Sequence, residues 1–131
     1  KSDLFVSVLQ AELQRTAERF AAIAPDEQTA VVWALDSYLS LHHVNHPELG
    51  CPLPSLTAEV ARADDPVRHA FQSGVQELHA KVERLAGSSD MAWALIAQNV
   101  GAVMIARAML DERLKKEVLS AARKAGRALL G

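Results

Sequence analysis

Apolar residues recur at intervals of three and four along nearly the whole of this chain, and that spacing is the strongest limit on its fold. The clearest run is Val67, Phe71, Val75, Leu78, Val82 and Leu85. One side of an α-helix repeats every 3.6 residues, so such a run lines a single face; a strand would need alternation. Phe5, Leu9, Leu13, Ala17 and Phe20, with Leu4 and Val8 alongside, share the period. So do Leu114, Val118, Ala122, Ala125 and Leu129. Composition points the same way: 23 Ala and 17 Leu stand against 18 Val, Ile and Thr together. Ala and Leu favour helix, while the β-branched residues favour strand. The expectation is an all-α helical bundle. An all-β fold is excluded, and a 50% apolar content argues against disorder.

Proline, glycine and aspartate divide the pattern into about six helices. The first spans about Asp3 to Ala22, with Ser2 as N-cap, and Pro25 ends it. Asp26 is expected to cap a second, about Glu27 to His43. Three prolines and Gly50 make a loop of residues 44–54, and a short helix follows, about Ser55 to Ala63. Pro66 sits where a helix start tolerates it, at the head of the fourth. Gly87 to Asp90 break the chain before the fifth, Met91 to about Leu110, and the last begins near Asp111. Its acidic start and basic end, Arg123, Lys124 and Arg127, suit the helix dipole. At 131 residues the chain fits one domain, residues 1–131, able to bury about two-thirds of its unfolded surface.

The fifth helix is apolar on nearly every side. Ala94, Ala97, Gly101 and Ala108 form a small-residue stripe, while Leu95, Ala102 and Ala106 lie on a different side. A helix with two apolar faces packs its own core with one and something else with the other; in a small domain the simplest occupant is a second copy. The expected dimer seam combines Ala97, Gly101, Met104 and Ala108 with Leu114, Val118 and Ala122 of the last helix. A membrane span is the weaker reading, because Gln98, Asn99 and Arg107 interrupt the run.

Several motifs, in order, resemble the C-terminal effector-binding and dimerisation domain of TetR/AcrR-family transcriptional regulators. Lys1-Ser2-Asp3-Leu4-Phe5 is similar to the join between that family's DNA-binding domain and its long connecting helix. Tyr38-Leu39-Ser40, His42, Pro47, Gly50-Cys51-Pro52-Leu53 and Glu59-Val60-Ala61 resemble the segment between the second and third helices of this domain. Val100-Gly101-Ala102, Ala106-Arg107-Ala108 and Asp111 resemble its penultimate helix. The resemblance implies a cytoplasmic homodimer that binds a small apolar or amphipathic effector among its first, second, fourth and fifth helices. It also implies contact with DNA only through an upstream helix-turn-helix domain of about 50 residues, which this chain lacks; the chain reads as a trimmed piece. The alternatives are a helical protein-interaction module and a redox or electrophile sensor built on Cys51.

The residues themselves argue against other chemistry. With 14 basic against 16 acidic residues, the chain carries no basic excess for duplex DNA. Residues 59–71 faintly imitate a helix-turn-helix, but Asp64 and Asp65 in the turn would repel phosphate. His42 and His46 are four apart, yet Pro47 disfavours helical geometry at His46, and no carboxylate completes a metal set. Phosphate loops and a nucleophile elbow are missing, so neither an enzyme nor a cofactor is expected. Cys51 lies beside Pro52, with Pro54 next but one; neither proline has an N–H to offer the sulfur, which favours a packing thiol over a reactive one. A ligand pocket is mostly apolar with a few placed polar groups. Trp33, Ser37, Phe71, Val75, Leu95 and Asn99 are the candidate lining, from a face of the second helix shared with Asp36 and Ser40, the fourth helix, and the middle of the fifth.

Overall fold

The computed structural model describes residues 2–130, and within them the chain is all-α. Seven α-helices and one 3-10 turn follow in order: α1 (Ser2–Ala21), α2 (Gln28–Tyr38), α3 (Leu41–Asn45), the turn at Pro47–Leu49, α4 (Leu53–Val60), α5 (Asp65–Ala86), α6 (Ser89–Ala108) and α7 (Glu112–Leu130). The count exceeds six because the expected second helix breaks at Leu39. Ser40 adopts extended backbone there, and its hydroxyl accepts from the His43 N–H at 3.2 Å. A serine that can cap a new helix competes with continuation of the old one.

Other ends move by a residue or two. The helix α1 begins at Ser2, whose cap lies outside the described side chains, and Glu27, not Asp26, occupies the N-cap of α2 without a side-chain bond. The third expected helix starts earlier, at Leu53, with Pro52 ahead of it. Ser88 caps α6 by accepting from the Met91 N–H, and α6 ends at Ala108 because Met109 is extended. Asp111 accepts from the Arg113 N–H at 2.8 Å and so opens α7.

Core packing is dominated by α1 on α5, and by α6 between α5 and α7. Leu9 and Leu13 of α1 are fully buried, and α5 comes so close that a Cβ at Gly74 would meet Leu13 Cδ1 at 2.5 Å. Gly87 turns the chain from α5 to α6 in the left-handed conformation, φ 89°, which a helix end tolerates best in glycine. Three arginines fasten helix ends. Arg84 donates to the carbonyls of Phe20 and Ala21 at the end of α1 and of Ile23 just beyond it. Arg123 donates to Leu39 O after α2. Arg107 donates to His43 O and Val44 O of α3, and to Ser55 Oγ of α4. Each supplies donors to carbonyls at or just past a helix end, where helical N–H groups run out.

With its length and a mean hydropathy of 1.3, α6 matches a membrane span by composition, and only 28% of its most apolar window is buried. One side meets α4, α5 and α7. The other side exposes Trp93, Met104 and Ile105, with Leu110 and Leu114 beyond its end.

Candidate ligand site

The site begins with one face of α2. Val31, Ala34, Leu35 and Tyr38 follow the helical period, and all four wall a small chamber of about 60 Å³. Phe20 of α1, Leu78, Val82 and Leu85 of α5, and Leu95, Ile96 and Val100 of α6 close it. The chamber is several times the roughly 10–15 Å³ that one water needs, but its walls are almost entirely apolar, the condition under which cavities stay dry. Thr16, Tyr38 and Asn99 are the polar exceptions among its side chains, apart from the thiol of Cys51.

A second, open cleft of about 640 Å³ lies against it. Thr16, Phe20, Ala34, Tyr38 and Cys51 wall both. The cleft adds Arg19 and Ile23 at the end of α1, Trp33 and Ser37 of α2, and His42, His43, Leu49 and Gly50 of the α3 segment. Its size is that of a small-molecule site, roughly 300–1,000 Å³.

The polar groups where the two meet are unusual in lacking partners. The Tyr38 hydroxyl is buried with the Cys51 thiol as its one polar neighbour, a weak acceptor, and has no partner of full hydrogen-bond geometry. Burial holds the Tyr38 phenol well above its ordinary pKa, so it remains a donor. His43 stacks edge-on against the Tyr38 ring at 4.7 Å, and its Nδ1–H donates to Tyr38 O at 2.7 Å. A carbonyl only accepts, so in the neutral ring Nε2 is the bare acceptor; it too is buried without a partner. Nε2 lies against Gly50, where any Cβ would collide with the ring. Burial lowers the His43 pKa, with the Tyr38 carbonyl opposing and Arg107 and Arg19 adding to the shift. Cys51 is free and buried, and burial pushes its thiol up although the Leu53 N–H, between the two prolines, partly offsets this. That is the environment of a neutral packing thiol rather than of a thiolate nucleophile.

The residues expected to line one pocket are divided among three places. Leu95 and Asn99 wall the chamber. Trp33 and Ser37 wall the outer cleft instead, and Trp33 is 70% exposed at its edge. Phe71 and Val75 line neither cavity; they pack half-buried on the core, because the chamber meets the same α5 stripe further along, at Leu78, Val82 and Leu85. Thr16, Tyr38 and His43 were not anticipated. Tyr38 was readable from its place three and four residues after Leu35 and Ala34. Gln98 points away from the chamber and ties α6 to α7, donating to Ala122 O at 2.9 Å and to Asn99 Oδ1 at 3.2 Å.

Of the residues expected at a dimer seam, Ala97, Met104, Ala108 and Leu114 are exposed, while Gly101, Val118 and Ala122 are half-buried. Nothing lies within 4 Å of where a Gly101 Cβ would stand. His42 and His46 stack on each other at 4.4 Å, and among the described residues no group of three or more His, Cys, Asp or Glu is placed to hold a metal. Set beside known proteins, the chain matches no family model, no curated protein and no solved structure.

Proposed function

We propose that this chain is the effector-binding and dimerisation domain of a TetR-like transcriptional regulator, which passes small-molecule binding to a DNA-binding head upstream. The observation that carries the reading is the chamber walled by α1, α2, α5 and α6, with the unpartnered Tyr38 hydroxyl at its junction with an open cleft. Those are the four helices among which the resemblance expects an effector. In this reading α1 is the connection to the head. It supplies Thr16, Arg19 and Phe20 to the site, so an effector that favours one tilt of α1 shifts the spacing of two heads. Coupling of that kind is typically worth about 1–3 kcal/mol, and it exists only if the effector binds the two states unequally.

The apolar outer face of α6, continued by Leu114, supports the dimer part of the reading. The same face favours the second reading, a helical module that docks a different protein there. Two measurements separate them. A thermal-shift screen with small amphipathic compounds, with native mass spectrometry of protein taken from its host, should find ligands. Asn99→Leu should keep the fold and alter which compounds bind. A screen in which nothing shifts the melting temperature, with no carried-over ligand, would sink the effector reading.

A further inference from the structure

The lining of the two cavities is lopsided in charge. Neither Asp, Glu nor Lys lines the chamber or the cleft, and Arg19 is their one formally charged side chain. Arg19 is exposed and makes no ion pair or hydrogen bond among the described residues. Glu12 pairs with Arg15, Glu18 accepts from Gln14, and Asp36 pairs with Arg127 at 2.7 Å, so none of these three pairs with Arg19. Arg19 thus faces the cleft as an unanswered cation. The Tyr38 hydroxyl is a buried donor with only the weakly accepting Cys51 thiol beside it. Behind both lies the apolar chamber.

Resting on the effector-binding reading, we propose that the site takes an amphipathic monoanion, an apolar chain or ring that carries one carboxylate. The apolar part lies along the cleft with its tip reaching the small chamber beside Leu35, Val82 and Leu95, and the carboxylate stays in the cleft, where it accepts from the Arg19 guanidinium and the Tyr38 hydroxyl. A carboxylate is acceptor-only and matches two donors; a guanidinium–carboxylate contact is also among the stronger hydrogen bonds. A neutral alcohol satisfies Tyr38 but leaves Arg19 unanswered. An ammonium head is repelled by Arg19 and finds no carboxylate in the lining.

The test is calorimetric titration of the whole chain with decanoate, decan-1-ol and decyltrimethylammonium, each below its micelle concentration. Decanoate should bind tightest, by roughly tenfold over the alcohol, and the cation weakest. Arg19→Gln should remove the margin of decanoate over the alcohol. Tyr38→Phe should weaken decanoate yet leave the melting temperature unchanged or raised, because the lost hydroxyl has only the weakly accepting Cys51 thiol as neighbour. Equal binding of acid and alcohol, or a preference for the cation, overturns the anion assignment and leaves the effector pocket standing. A margin that survives Arg19→Gln overturns the role of Arg19. If none of the three binds, the anion assignment falls, and the wider thermal-shift screen decides separately whether the pocket reading falls with it.

Discussion

Tyr38, His43 and Cys51 are held uncharged by one cause. Burial raises the two acids and lowers the base, because each charged form would lose its water. The consequence for stability has a sign. His43 has a lower pKa folded than unfolded, so below about 6.5 the unfolded chain binds more protons and stability falls as pH drops. The loss continues until the folded pKa is passed. Above pH 7 the contribution is complete. Tyr38 and Cys51 act in the opposite direction: their raised values remove stability as pH climbs through the ordinary range of phenol and thiol. Urea melts between pH 7 and pH 5 should therefore show falling stability, and His43→Asn should flatten that slope. A slope unchanged in the variant would show that other groups set it.

At the same scale, the face of α2 explains why the site was half legible. Trp33 and Ser37 draw notice as the aromatic and polar members of the helix, but they lie toward water. The inward face is Val31, Ala34, Leu35 and Tyr38, which periodicity alone identifies once the helix is known to bury its apolar side. His43 was not readable, because its position depends on the break at Leu39 and on the absence of a side chain at Gly50.

Among the elements, long helices were legible and the short segment between them was not. Helices α1, α5, α6 and α7 carry enough turns for a stripe to show. The α3 segment has five residues, and isolated turns of that length do not hold themselves. Its place is set by Arg107, whose guanidinium reaches two of its carbonyls and Ser55 at 2.9–3.2 Å. Since α3 carries His43 and the adjoining loop carries Gly50 and Cys51, Arg107 positions one wall of the cleft from behind. Arg107→Lys should cost about 1.5–3 kcal/mol, because an ammonium cannot span the same acceptors as a planar fork. The check is a denaturant melt together with proteolysis at residues 40–52. Equal stability and unchanged cleavage would mean that α3 is held by its apolar contacts alone.

The surface is 7587 Å², about 800 Å² above the roughly 6,800 Å² that scaling gives for a monomer of this mass. A standard interface covers about 800 Å² on each partner. The apolar face of α6 exposes Trp93, Met104 and Ile105, and Gly101 at its middle leaves room for a close neighbour. The chain should sediment as a dimer at micromolar concentration. Gly101→Leu should leave the helical circular dichroism intact, since no side chain of its own chain is near, and should shift the population toward monomer. A wild-type monomer under those conditions would remove the dimer from the account.

The arginine clamps also run in one direction along the chain. Arg84, Arg107 and Arg123 all come from the second half and grip carbonyls in the first, across 61 to 84 residues, setting aside the shorter reach to Ser55. Closing loops of that size is a late event, because its entropy must be overcome before the contacts reward it. During folding, α1, α2 and α3 therefore wait with open ends until α5, α6 and α7 arrive. A peptide of residues 1–63 should be largely unstructured alone and gain helix when residues 64–131 are added. A peptide already helical on its own would place the clamps outside the folding order.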